Sequence, residues 1–204
     1  MLSQLKPAIL ITILFTLLTG ILYPLAVTGV AQLAFPHEAN GSLVPVNDKT
    51  VGSTLIAQNF TKPEYFHPRP SAAGDKGYAP TSSSASNLGP TNPALADRLK
   101  KDAAAFRKDN PDYTSPIPAD AITTSGSGLD PEISPANATA QSARVAKARN
   151  VSTAHIAELV SSHTLGRQFG FLGEPRVNVL ELNLAVDQAF PLQSQATTPI
   201  PSAK

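Results

Sequence analysis

Residues 123–149 read Thr-Thr-Ser-Gly-Ser-Gly-Leu-Asp-Pro-Glu-Ile-Ser-Pro-Ala-Asn-Ala-Thr-Ala-Gln-Ser-Ala-Arg-Val-Ala-Lys-Ala-Arg, a loop of small residues followed by an Ala-rich run. Gly126 and Gly128 permit backbone conformations that a Cβ atom disfavours. Ser134 can accept a hydrogen bond from a free N–H group at the start of a helix. Pro135 suits the first helical position, because an N–H there would have no partner. The stretch therefore predicts a glycine loop that leads into a helix.

A loop of this kind at a helix start often binds an anion, because free N–H groups and the helix dipole point the same way. Gln141 and Arg144 are three residues apart, so they share one helix face and are expected to contact an anion or partner, or to form a solvated pair. The loop lacks the Lys and the third glycine that the Walker and dinucleotide motifs require, so a packed turn capped by Asp130 is the alternative. The candidate nucleotide- or partner-binding residues are Ser125, Gly126, Ser127, Gly128, Leu129, Asp130, Gln141 and Arg144.

Composition excludes several other functions. The 204 residues contain no Cys, carry a formal net charge of +1 and are 15% charged. Disulfides and thiolate metal sites are therefore impossible, and no basic surface for nucleic acid is indicated. His155 and His163 lie two helical turns apart without an evident third ligand, so no metal is expected. No catalytic set emerges from the sequence.

Residues 7–36 contain no charged side chain, and the apolar run at 8–35 is long enough to cross a membrane. A hydrocarbon core of about 30 Å needs roughly 20 helical residues. A cleaved signal peptide is the alternative, but its apolar core is usually only about 7–15 residues long. Lys6 and the amino terminus precede the run, so the positive-inside rule predicts a cytoplasmic N-terminus and an extracytoplasmic remainder.

The remainder mixes helical and strand patterns, which predicts an α/β (α+β) extracytoplasmic domain anchored by one N-terminal transmembrane helix. Helices are expected from Pro93 to about Lys108, over 135–149 and over about 153–163. Alternation of apolar and polar residues over 177–187 predicts a half-buried strand. The expected divisions are a cytoplasmic N-terminus at 1–7, the transmembrane helix at 8–35, a linker at 36–50, the domain at 51–190 and a disordered tail at 191–204.

Two further residues are candidates for partner binding. Arg69 lies in the run Tyr-Phe-His-Pro-Arg-Pro-Ser at 65–71, where the prolines lower the entropy cost of an ordered loop. The alternative is that Arg69 pairs with a carboxylate. Asn87 belongs to Ser-Asn-Leu-Gly-Pro at 86–90, within a long loop of a length that is usually functional or mobile.

Several of these segments together resemble the KdpC family, the C subunits of the bacterial high-affinity potassium-transporting Kdp ATPase. The resemblance runs from the membrane helix to about Asp187. It includes Thr-Ser-Gly-Ser-Gly-Leu-Asp-Pro-x-Ile-Ser at 124–134, Gln-x-x-Arg-Val-Ala-x-Ala-Arg at 141–149 and Leu-Gly-Glu-Pro-x-Val-Asn-Val-Leu-x-Leu-Asn at 172–183.

The resemblance implies a single-pass protein of the bacterial inner membrane whose partners are a channel-like potassium subunit, a P-type ATPase subunit and a small helical subunit. It also implies a non-catalytic chaperone that raises the ATP affinity of the ATPase subunit, with the 125–130 loop and Gln141 linked to that role. The predicted topology conflicts with nucleotide contact, because about 30 Å of membrane would separate the domain from cytoplasmic ATP. The alternatives are an external cap of the channel-like subunit and a stand-alone envelope protein that binds a small anion.

Overall fold

A computed structural model describes residues 2–192, and the chain divides after Ser53 into two compact units. Apart from its first two residues, the tail predicted at 191–204 lies outside the described part of the chain.

The first unit contains a continuous helix of 30 residues, Leu5–Ala34. Helices α1, Leu5–Leu17, and α2, Tyr23–Ala34, are joined by a π-helical turn at Leu18–Leu22. This wider turn comes immediately before Pro24, which has no N–H group to donate and whose ring crowds the preceding turn. None of the helix's large apolar side chains is buried. The helix is therefore long and apolar enough to cross a membrane, as the sequence predicts.

A short helix and a β-hairpin follow in the segment that we expected to be a linker. Helix α3 spans Pro36–Ala39, and strands β1, Leu43–Val46, and β2, Lys49–Ser53, pair antiparallel. Asn47 and Asp48 connect the strands with φ angles of 49° and 61°, which are typical of the type I′ turns that suit hairpins.

The second unit combines four α-helices and a short 3-10 helix, Ala119–Ala121, with a small antiparallel sheet in the described residues, as expected for an α+β domain. The helices are α4, Pro93–Asp109, α5, Pro135–Arg149, α6, Thr153–Ser162, and α7, Val179–Ala189. The strands are β3, Glu132–Ile133, β4, Thr164–Leu165, and β5, Arg176–Asn178, in the order β3-β5-β4.

Capping side chains lie at the helix boundaries that the sequence predicts. The Ser134 hydroxyl accepts a hydrogen bond from the Asn137 N–H at 3.1 Å, and Asn150 ends α5 in the left-handed conformation with φ 55°. Asn92 caps α4 by accepting from the Ala94 N–H at 3.0 Å. The predictions for α4, α5 and α6 are confirmed because their signals lie within a few residues of the boundaries.

The core of this unit forms where α5, α6, α7 and β5 surround the segment before α4. Its largest fully buried apolar side chains are Phe66, Val145, Ile156, Val177, Leu182 and Val186. The Ala-rich face of α5 lets neighbouring segments approach closely, because its small side chains leave room for them.

The predicted strand at 177–187 is wrong beyond Asn178, where α7 begins. The Asn178 side chain accepts from the Glu181 N–H at 3.2 Å and donates to the Thr54 carbonyl at 2.8 Å. The apolar residues of this segment fit both the two-residue spacing of a strand and the spacing of one face of a helix. Their contacts with the core favour the helix. Val179, Leu182 and Val186 consequently face the core at helical spacing.

The helical arrangement predicts different costs for two leucines that a strand would place on one face. Leu182→Ala should lower the free energy of unfolding by about 3 kcal/mol, because the side chain is fully buried. Leu184→Ala should cost roughly 1 kcal/mol, because Leu184 is half-buried. Thermal unfolding of the full chain in detergent measures both, and equal costs would contradict the helix.

Candidate functional site

The segment at 62–69 lies against α5 and α7, and amide side chains bind its backbone in the way that a neighbouring strand would. The Asn183 Oδ1 accepts from the Phe66 N–H at 2.7 Å, and its Nδ2 donates to the Phe66 carbonyl at 3.0 Å. Gln141 does the same for His67, accepting from its N–H at 2.8 Å and donating to its carbonyl at 3.0 Å. The two amides therefore fix the path of this segment.

Gln141 is only 3% exposed and has no hydrogen-bonding capacity left. Besides binding His67, its Nε2 donates to the Asn137 Oδ1 at 2.9 Å, and its Oε1 accepts from the Arg144 Nη2 at 2.7 Å. An amide has two donor hydrogens and two acceptor lone pairs, so these four bonds use all of them. A nucleotide could bind this amide only after one of the internal bonds had broken.

Arg144 is buried and binds mostly neutral oxygen atoms. It donates to the carbonyls of Pro63 and Tyr65, each at 2.8 Å, and to the Asn110 Oδ1 at 3.1 Å. Burial lowers the pKa of Arg144 to about 10, and the negative charges of Asp109 and Glu64 partly oppose this effect. The guanidinium is therefore still charged at neutral pH, and the pair with Gln141 is internal rather than solvated.

Arg149 completes the row of polar side chains from α5, although the sequence did not single it out as a site residue. Its side chain is 0% exposed and bonds to the Asp187 Oδ1 at 2.6 Å and to the Glu64 carbonyl at 3.1 Å. The guanidinium also lies 5.0 Å from the centre of the Tyr65 ring, which is a cation–π distance. Arg149 therefore links the segment at 62–69 to α7.

Two N–H groups of the glycine loop at 125–130 are bound by hydroxyl groups of the loop itself. The Ser125 hydroxyl accepts from the Gly128 N–H at 2.9 Å, and the Ser127 hydroxyl accepts from the Leu129 N–H at 3.1 Å. Asp130 accepts from the Glu132 N–H at 3.0 Å, so the predicted local cap is present. The amides of Gly128 and Leu129 are consequently bound within the loop, while Gly126 is exposed.

Asp120 places a carboxylate at the N-terminus of α5, where the sequence suggested a bound anion. Its Oδ2 accepts from the Ser134 N–H at 2.8 Å and from the Asn137 Nδ2 at 3.0 Å. Its Oδ1 accepts from the Ser134 hydroxyl at 2.9 Å. A negative side chain is favourable at this end of the helix dipole. The sequence did not identify Asp120, because it lies 14 residues before the residue that it caps.

The two residues predicted to bind a partner have different environments. Arg69 forms an ion pair with the Asp130 Oδ2 at 3.0 Å and donates to the Thr124 carbonyl at 3.2 Å, so the carboxylate alternative is confirmed. Asn87 is exposed in a left-handed conformation with φ 52° and, within residues 2–192, makes no hydrogen bond to this network. The structure therefore brings Arg69, but not Asn87, to the glycine loop.

A cleft of about 260 Å³ opens between α4 and the segment at 59–70, and Gln141 and His67 line part of it. This is smaller than the roughly 300–1,000 Å³ of most small-molecule sites. Burial, together with the nearby charge of Arg144, lowers the pKa of His67 below its usual 6.5, so the ring is neutral at pH 7. Burial also raises the pKa of Tyr78, another lining residue, to about 12. Residues 2–192 contain no group of three or more His, Cys, Asp or Glu that could hold a metal ion.

Comparison with known proteins identifies one family. The family described as "KdpC: K+-transporting ATPase, c chain" matches residues 5–188. A potassium-transporting ATPase KdpC subunit of Caulobacter sp. (strain K31) is 58% identical over 196 residues, which cover 96% of this chain and 98% of the relative. The corresponding protein of Beijerinckia indica subsp. indica is 54% identical over 193 residues, covering 95% and 98%. That of Methylococcus capsulatus is 54% identical over 187 residues, covering 92% and 98%.

The two glycines of the loop should respond differently to substitution. Gly128 has φ +67°, and a Cβ there would lie 2.4 Å from the Ser84 carbonyl oxygen, so Gly128→Ala should cost roughly 2–4 kcal/mol. Gly126→Ala is the matched control, because a Cβ there meets nothing within 4 Å, and it should change stability by less than about 1 kcal/mol. Thermal unfolding measures both, and similar losses would contradict the packed loop.

His67 should make stability depend on pH. Its native pKa is lowered, so on acidification the unfolded chain takes up a proton near pH 6.5 before the native ring does. The free energy of unfolding should therefore fall from pH 7.5 to 5.5. His67→Gln should reduce this slope, and His155→Gln, at an exposed position, should preserve it. Denaturant unfolding at several pH values measures the slopes, and an unchanged slope in His67→Gln would refute the assignment.

Proposed function

We propose a structural role in a membrane transporter for this chain, which belongs to the KdpC family of K+-transporting ATPase subunits and is therefore an accessory subunit of a potassium uptake complex. In this proposal the second unit is a rigid body outside the cytoplasm that stabilises a channel-like potassium subunit. A P-type ATPase subunit and a small helical subunit complete the assembly. The observation that carries the proposal is that the Gln141 amide and the N–H groups of Gly128 and Leu129 already bond within the chain.

The proposed topology rests on the N-terminal helix and on charge. The helix Leu5–Ala34 would cross the bacterial inner membrane, and Lys6 is the one charged side chain that precedes its apolar run. The positive-inside rule then favours a cytoplasmic N-terminus. The proposed divisions remain a cytoplasmic end at 1–7, a span at 8–35, a connection at 36–50 and a periplasmic or extracellular domain at 51–190.

ATP drives the complex, and the family resemblance implies that this subunit raises the ATP affinity of the ATPase subunit. We propose that this effect passes through subunit contacts rather than through ATP held by the 125–130 loop. Gln141 uses both donors and both acceptors internally, and Asp120 occupies the start of α5. The same two observations disfavour a stand-alone protein that binds a small anion. In the proposed topology, about 30 Å of hydrocarbon would also separate this loop from cytoplasmic ATP.

Gln141→Ala in the assembled transporter separates the structural role from nucleotide contact. The substitution leaves buried groups of His67 and Arg144 unpaired, so the chain should lose about 2–4 kcal/mol of stability. Complexes that still assemble should keep the same ATP concentration for half-maximal hydrolysis. Lys147→Ala, at an exposed position on α5, is the matched control.

Two results would contradict the proposal. A rise in the half-maximal ATP concentration, in fully assembled Gln141→Ala complexes but not in the control, would indicate nucleotide contact. Failure of the wild-type tagged chain to co-purify with the other transporter subunits in mild detergent would remove the structural role altogether.

A further inference from the structure

The first unit ends in a hairpin that exposes apolar side chains. Strand β1 reads Leu-Val-Pro-Val, and β2 adds Val51. Leu43 is 49% exposed, Val51 39% and Val46 38%, and none of them belongs to the hydrophobic core of the described residues. We propose that this hairpin, residues 43–53, lies in the headgroup region of the bilayer that the N-terminal helix crosses, with its apolar side chains against the acyl chains.

The inference rests on the proposed topology, because it requires that the helix Leu5–Ala34 span a membrane. It goes beyond that topology by assigning a second contact with lipid to a segment that we expected to be a linker. The contact requires neither nucleotide nor another subunit, and it is the same for either orientation of the helix.

The length of the helix places its end at the membrane surface. At about 1.5 Å per residue its 30 residues measure about 45 Å, and a bilayer with its headgroups is about 40–45 Å thick. Lys6, in the first turn, belongs in the headgroup region of the opposite leaflet, because a charge is costly in hydrocarbon. The last turn, which contains Leu33, therefore lies at headgroup depth.

The chain then turns back beside the helix. The side-chain amides of Gln32 and Asn40 donate to each other at 3.4 and 3.3 Å. The Ser42 N–H donates to the His37 carbonyl at 3.0 Å, which closes the connection. Asn40 is thus level with the last helical turn, and β1 begins at Leu43. The hairpin consequently starts at headgroup depth and not beyond it.

A hairpin of two strands needs both a surface and water. Such a hairpin is only marginally stable by itself, so its apolar side chains require something to pack against. Both strands are also edges of their two-stranded sheet, so each has backbone groups without a strand partner. Hydrocarbon leaves such groups unsatisfied, whereas the headgroup region supplies water for the backbone and acyl chains for the side chains.

The hairpin is poorly suited to pairing with a strand of another protein. Pro45 has no N–H group to donate within β1. In β2 the register shifts so that Val51 has no residue opposite it. A proline and a bulge both interrupt the regular backbone pattern that an added strand would need. A lipid surface requires no such pattern.

The charges of the hairpin indicate which property of the lipid matters. Asp48 and Lys49, at the tip, are the charged residues within 43–53, and their charges cancel. Attraction to anionic lipids depends on an excess of Lys or Arg. The contact should therefore be apolar and should persist on an uncharged bilayer.

Spin labels measure the depth of the hairpin directly. The chain contains no Cys, so Leu43→Cys and Val51→Cys each give one nitroxide in the full chain, reconstituted in nanodiscs of phosphatidylcholine. Collision rates with oxygen and with a water-soluble nickel chelate should place both labels about 5–10 Å into the boundary between headgroups and acyl chains. Leu25→Cys, exposed on the helix, is the lipid reference, and Lys147→Cys, exposed on α5, is the water reference.

Three results would overturn the inference. The first is nickel collision at both hairpin labels equal to that at Lys147, which would place the hairpin in water. The second is loss of collisions with both oxygen and nickel when the chain is assembled with the other transporter subunits, which would show that protein covers the hairpin. The third is a depth that appears only with added phosphatidylglycerol or disappears in high salt, which would show electrostatic adsorption.

The label at Leu25 distinguishes this inference from the topology on which it rests. If Leu25 contacts lipid and the hairpin labels contact water, only the inference about the hairpin fails. If Leu25 collides with the nickel chelate as freely as Lys147 does, the helix does not cross the bilayer and the proposed topology itself fails.

Discussion

The second unit depends on how the backbone of residues 62–69 is satisfied, since this partly buried segment has no strand partner. A buried amide or carbonyl without a hydrogen bond costs about 1–3 kcal/mol, so such a segment is stable only if side chains replace the missing strand. Gln141 and Asn183 do so for His67 and Phe66, and Arg144 and Arg149 bind the carbonyls that precede them. The small residues of α5 make room for this arrangement.

This arrangement explains why polar residues singled out in the sequence make internal contacts in the fold. The hydroxyl, amide and carboxylate groups around the start of α5 bond to one another. Asp120 contacts the start of the helix at Ser134, and Arg69 contacts the glycine loop at Asp130. A unit whose polar side chains around α5 bond to one another is well suited to holding another subunit in place.

Much of the fold can be predicted from the sequence where the determining interactions are local. Asn92, Ser134 and Asn150 lie at the ends of their helices, so their capping roles can be inferred without tertiary information. The strand predicted at 177–187 failed because its apolar residues fit two periods equally well. Contacts of Val179, Leu182 and Val186 with the core select the helical period, and a local pattern does not contain those contacts.

The sequence alone determined the long apolar helix, the limits of α4, α5 and α6, and the family, because length, capping residues and ordered motifs are properties of the chain itself. Only the tertiary structure decided which groups the candidate site residues bond to. Gln141 bonds to a backbone 74 residues away, Arg69 pairs with a carboxylate 61 residues away, and Asp120 occupies the helix start that seemed ready for an anion. The same polar side chain can bind a ligand or a buried backbone, and the partner that the fold brings within 3 Å determines which of the two it binds.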